Sequence, residues 1–239
     1  MMRLLVHVEG ETEESFVNEV LRDHLSAFGY ASISARIVGN ARQRDRRGGI
    51  RPWPAVRRDI LRHLKDDRHC IATTMVDFYA LPQSGERAWP GRAAAAKVSA
   101  TKKSAIVIDA LAADIAAAMG DDFDPSRFVP FVVMHEFEAL LFSDCEAFGK
   151  GIARVDLIAQ FQAIRNQFPS PEEINDSPLT APSKRVEALV AGYQKPLLGT
   201  LAALEIGLPK IRSACPDFNG WLLRLEALGT AVAHGLNSQ

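Results

Sequence analysis

Three apolar runs in this sequence break off at acids. Leu4 to Val8 is followed by Glu9 and Gly10, Thr73 to Val76 by Asp77, and Phe131 to Met134 by His135, Glu136, Phe137 and Glu138. If the runs are parallel strands, their carboxyl ends meet in one crevice, although the acids lie far apart along the chain. Carboxylates gathered there repel one another unless a cation stands among them. Ligation by oxygen alone favours Mg²⁺ or Mn²⁺ over zinc, which prefers cysteine and histidine. The expected metal ligands are Glu9, Glu13, Asp77, Glu136 and Glu138, and the expected catalytic set is Glu9, Asp77, His135 and Glu136.

Glu13 belongs with Glu9 because an i, i+4 spacing lets it look back across a first helical turn, and Gly10 suits a tight strand-to-helix turn. Glu11 and Glu14 read as first-turn acids that complement a helix dipole. Glu136 and Glu138 cannot both face the core of one helix, so at least one is left for the site. His135 reads as a general base, a metal ligand or a hydrogen-bonded strand-end imidazole. No serine or cysteine sits in a nucleophile-elbow context, and neither a P-loop nor a GxGxxG is present.

A net charge of −1 makes no global case for a polyanionic partner, so local charge has to carry it. Arg42, Arg44, Arg46, Arg47 and Arg51 face a single acid, Asp45, in a glycine-containing stretch. Guanidinium groups suit phosphate oxygens, so these arginines are candidate nucleic-acid contacts, with a merely solvated loop as the plainer alternative. Lys184 and Arg185, in a polar turn, are the other candidates.

These groups need elements to position them. Arg3 to Val8, Ser32 to Val38, Cys70 to Val76 and Phe128 to Met134 read as strands, and apolar spacing predicts helices over Glu11 to Phe28, Pro54 to Lys65 and Ser104 to Met119. Leu81 to Thr101 reads as a long loop with one helical turn at most. Strand and helix alternate through this half, which argues an α/β class: a parallel sheet of about four strands flanked by helices. After Gly149 only helical patterns occur, over Val155 to Asn166, Ser183 to Gly192, Leu197 to Glu205, Leu208 to Ala214 and Asn219 to Leu228. The chain is therefore expected to divide into an α/β domain over 1–149 and a helical C-terminal subdomain over 150–239, packed on it. With 239 residues, 47% of them hydrophobic, it can bury both. The N-terminal apolar run is too short for a signal segment or a membrane span, so a cytoplasmic protein without membrane contact is expected. Cys70, Cys145 and Cys215 form no CxxC pair and read as inert thiols.

VEGETEESFV resembles the first motif of Toprim domains, the catalytic module of topoisomerases, bacterial primases and old-family (overcoming lysogenization defect) nucleases. Together with TTMVDFYALP, HEFEALLFSD, TAPSKR and CPDFNGWL, in that order, it resembles the bacterial family catalogued as domain of unknown function 4276. The resemblance implies a Toprim-like Rossmannoid sheet with Glu9 as the Toprim glutamate, Glu13 as the second acid and Asp77 as the first acid of a DxD motif. Tyr79 stands where the second acid of DxD belongs, and Glu136 or Glu138 would supply the missing charge.

The function so implied is divalent-metal-dependent hydrolysis of phosphodiester bonds in DNA or RNA. The kinship further suggests anti-phage defence with a separately encoded ATPase partner. The main alternative is a non-catalytic sensor or adaptor that binds nucleic acid, for which Tyr79 is the best support. A primase- or topoisomerase-like transferase and a phosphatase of small substrates are weaker readings.

Overall fold

A computed structural model describes residues 2–38, 50–174 and 179–236. Arg42, Arg44, Arg46 and Arg47 lie outside the described residues. Three strands form where the apolar runs predict them: β1 (Met2–Val8), β2 (Tyr30–Ile37) and β3 (Cys70–Asp77). β1 pairs in parallel with β2 on one side and β3 on the other, with Val8 opposite Ile37 and Met75. β3 is central and buried along nearly its whole length, so it is apolar without alternation. β2, at the edge, buries only Tyr30 and Ile33.

The expected fourth strand is broken in two. β4 (Phe128–Val129) pairs with the first half of β3 and β5 (Val132–Val133) with its end, where Val133 stands opposite Asp77. Pro130, between them, has no N–H to give to a ladder. Thr74 repairs the gap, since its Oγ1 donates to the Phe131 carbonyl at 2.9 Å and accepts from the Phe131 N–H at 3.0 Å. Replacing Thr74 by Val keeps the shape but orphans both backbone groups in a buried place. We expect a loss of about 2 kcal/mol in urea unfolding; an unchanged midpoint would show that Thr74 does not hold this edge.

Helices cover both faces. On one side lie α1 (Glu11–Phe16), a π-helical stretch over Val17–Leu21, and α2 (Arg22–Ser26), which together replace the single regular helix expected there. Phe16, Val17, Leu21 and Leu25 pack against Leu4, Val6, Val8 and Met75. On the other side, Val56, Ile60 and Leu64 of α3 (Trp53–Asp66) meet Ala72, Val76 and Val132. Two further helices follow, α4 (Arg92–Ala95) in the expected loop and α5 (Ala100–Met119), whose Val107, Leu111 and Ile115 join the α3 face.

The remaining helices are α6 (Glu138–Leu141), α7 (Cys145–Gly151), α8 (Ile158–Arg165), α9 (Pro182–Leu189), α10 (Lys195–Ile206), α11 (Leu208–Ala214) and α12 (Pro216–Leu236). They share the core of the α1 face: Ala202, Phe218, Trp221 and Leu225 belong to the same apolar cluster as Leu4 and Val6. Trp221 stacks on Phe131 with ring centroids 4.8 Å apart, and its Nε1 donates to Thr73 Oγ1 at 2.9 Å. The expected division after residue 149 falls inside α7. All three cysteines are free and buried, and burial pushes the Cys70 and Cys145 thiols up to about 11, so they stay protonated. No described helix is long and apolar enough to cross a membrane.

Candidate functional site

From β1 the chain goes to β2 on one side and then returns past β1 to β3 on the other. Such a reversal opens a crevice beyond the carboxyl ends of the two central strands. Glu9 and Asp77 stand at its two lips, and Glu9 Oε2 accepts from the Asp77 N–H at 3.3 Å. Because β3 pairs with β5 as far as Asp77, the segment leaving β5 brings His135, Glu136 and Glu138 to the same end of the sheet.

The strand end at Glu9 is simpler than expected. Gly10 is extended, with φ −149°, so its backbone makes no demand for glycine. Its N–H donates to Glu13 Oε2 at 2.9 Å, which makes Glu13 a cap of α1. Glu13 is nonetheless nearly fully buried beside Glu9, and its carboxyl rises to about 7, chiefly through burial and next through the Glu9 charge. Helix capping and charge crowding therefore act on one side chain.

Burial also dominates at the other acids. It raises Glu9, with Glu136 and Glu138 adding to the rise while the Asp77 N–H and Lys195 oppose it. Asp77 is raised well above the ordinary carboxylate range by burial and then by Glu9, Glu13, Glu138 and Glu136. Glu138, the first residue of α6, is lifted to about 7 by burial against the pull of Lys195. Glu136 faces the start of α9, where its Oε2 accepts from the Ser183 N–H at 2.8 Å. The charges of Glu9, Glu13, Glu136 and Glu138 thus all reach Asp77 across one crevice.

Lys195 is the member that sequence reasoning missed. It opens α10, and its Nζ lies 3.4 Å from Glu138 Oε1. Burial lowers its pKa, but Glu138, Glu136 and Asp77 outweigh that effect and the net shift is upward. A lysine followed by proline at the first position of a helix sits against the helix dipole. That oddity in YQKPLL was the available signal. Tyr193, two residues earlier, has a buried hydroxyl without a hydrogen-bond partner and is pushed up by burial, then by Glu138 and Glu187.

The fit to a cation can be judged from these atoms. Asp77 Oδ1 is buried without a hydrogen-bond partner, and Glu138 Oε1 has only its ion pair with Lys195. Orphaned carboxylate oxygens in a dry place match a hard divalent ion. Among the described residues, no three His, Cys, Asp or Glu side chains converge closely enough to hold a metal as they stand. The acids are near neighbours rather than a closed cage.

Tyr79, in the 3₁₀ turn after Asp77, stacks on His135 with centroids 5.5 Å apart and planes 7° from parallel. His135 is only 3% exposed, so its ring supports Tyr79 more directly than it meets solvent. The basic candidates among the described residues are otherwise engaged. Lys184 pairs with Glu187 at 2.6 Å, and Arg185 donates to the Thr180 carbonyl at 2.7 Å with its guanidinium over Phe168. Arg51 pairs with Asp59 at 3.2 Å. The TAPSKR segment reaches the acids through the Ser183 backbone.

Fold and crevice together define a class: an α/β protein with a Rossmann-like parallel sheet and buried acids at the strands' carboxyl ends. Within that class the chain belongs to the family described as Domain of unknown function (DUF4276), whose model matches residues 8–226. Among solved structures it is similar to the C-terminal region of the OLD protein of Xanthomonas campestris pv. campestris, at 15% identity and a TM-score of 0.40, covering 98% of each chain. No curated protein matches it.

Proposed function

We propose that this chain is a divalent-metal-dependent nuclease that hydrolyses phosphodiester bonds in DNA or RNA. The observation that carries the reading is the gathering of Glu9, Glu13, Asp77, Glu136 and Glu138 around Lys195, with a buried Asp77 oxygen left without a partner. Carboxyls this desolvated are costly to ionise, and a bound cation would supply the compensating charge. Mg²⁺ or Mn²⁺, when bound, supplies positive charge against a phosphate and makes water acidic enough to attack at neutral pH.

Glu9, Asp77 and Glu136 or Glu138 would hold that ion. Glu13 and Glu138, both raised to about 7, can hold or release a proton near neutrality. Lys195, opposite them, offers an ammonium to phosphate oxygens. The Arg42 to Arg51 stretch remains part of this proposal as a backbone contact, as do a cytoplasmic setting, anti-phage defence and a separate ATPase partner. The support for these last features is the motif resemblance.

The test is to incubate the full chain with plasmid, linear and single-stranded DNA and with RNA, in Mg²⁺, in Mn²⁺ and in chelator. Cleavage in metal alone is the expected result. Nucleic acid bound but left intact in every metal would move the reading to a non-catalytic adaptor, which Tyr79 at the second DxD position favours. Neither binding nor cleavage would end both.

A further inference from the structure

Tyr79 is 49% exposed, yet its ring is held from several directions. His135 stacks beneath it, and Phe78 meets it edge-on at 5.2 Å and 84°. Phe78 is in turn clamped by Arg92, whose guanidinium lies 4.0 Å from that ring and whose Nε donates to the Phe78 carbonyl at 3.1 Å. The Lys103 ammonium is 5.8 Å from the Tyr79 centroid, and Lys102 beside it is exposed.

A lone exposed aromatic needs no explanation. This one differs because its order is enforced by a buried histidine from the third acidic segment, and because it stands two residues past Asp77 with a cation at its ring. A rigid, half-open aromatic face gives a nucleobase a stacking surface at little entropic cost, while a neighbouring lysine meets the phosphate. Bases in a duplex already stack on each other and cannot offer a face without being flipped out.

Resting on the nuclease reading above, we propose that the crevice takes single-stranded nucleic acid, and that Tyr79 is the platform for the base beside the phosphate held at the acids. The residue that replaces an acid in the DxD pattern thereby selects the substrate's strandedness.

The experiment is fluorescence anisotropy on the full chain, with Ca²⁺ in place of Mg²⁺. The probes are a labelled single-stranded oligonucleotide of about 15 nucleotides, the matching duplex, and a single strand carrying 2-aminopurine. Wild type should prefer the single strand and quench the 2-aminopurine. Tyr79→Ala should bind the single strand about tenfold more weakly, lose the quench and keep its duplex affinity, while Tyr79→Phe should behave as wild type. Equal affinity of Tyr79→Ala and wild type for the single strand, or duplex binding by wild type as tight as single-strand binding, overturns the inference and leaves the nuclease reading intact. If wild type binds neither form, both fall.

Discussion

Asp77→Asn should abolish metal-dependent cleavage, by more than about 100-fold, and should at the same time make the metal-free protein more stable. The two signs have one cause. Asp77 lies at the end of the central strand with one oxygen unpartnered and four glutamates raising its pKa further, so its charge is a burden until a cation arrives. Asparagine keeps the shape and removes the burden. The unfolded chain ionises Asp77 freely while the folded chain resists it, so removing that titration favours the metal-free fold at neutral pH. Cleavage assays on the full chain and urea melts in chelator measure the two effects. An Asn variant that cuts like wild type, or that unfolds more easily without metal, would show that Asp77 is not a strained ligand.

The second large effect is a dependence of metal-free stability on pH. Glu13 and Glu138 titrate at about 7 in the folded chain against an ordinary value of 4.5. Below about 4.5 both are protonated in either state and nothing is lost. Between 4.5 and 7 the unfolded chain gives up these protons while the folded chain retains them, so stability falls as pH rises. Above 7 the penalty is complete. Each group alone corresponds to about 3 kcal/mol at most, and because both lean on Lys195 the joint loss is smaller than twice that. Melting temperatures in chelator should therefore drop from pH 5 to pH 8. Mg²⁺ should restore more of the loss at pH 8 than at pH 5, because binding displaces protons. Lys195→Met should steepen the drop. A metal-free melting temperature that is flat or rises across this range would refute the crowding of these acids.

Much of the sheet was legible because three of its strand segments are apolar runs that break off at acids, and the acids were legible because they sit at those closures. What failed was set by contacts the linear pattern does not encode. Phe128 to Met134 has the composition of one strand, but Pro130 splits it and Thr74, remote in sequence, bridges the gap. The π-helical stretch at Val17–Leu21 keeps the same apolar spacing as an α-helix. α7 was not anticipated, and it runs across the boundary expected at Gly149. At Gly151 the missing side chain makes room, since a Cβ there would stand 2.8 Å from the Ala202 Cα of α10. Lys195 was overlooked because a single cation has no spacing to betray it, whereas the acids announce themselves at three strand ends. Lys184 and Arg185 look like phosphate contacts by composition, yet the neighbour that reaches Glu136 is the Ser183 amide.

The indole of Trp221 gives α12 leverage over the Asp77 lip of the crevice. Its Nε1 grips Thr73, four residues before Asp77 on the same strand, and its ring lies flat on Phe131 just ahead of the segment that carries His135. Trimming the protein anywhere upstream of that indole would unseat two walls at once, so an affinity handle is better placed beyond the helix than in exchange for it. For the same reason, ligand-induced movement at the acids should be readable in the emission of Trp221 once the two other buried tryptophans, Trp53 and Trp89, are replaced by phenylalanine.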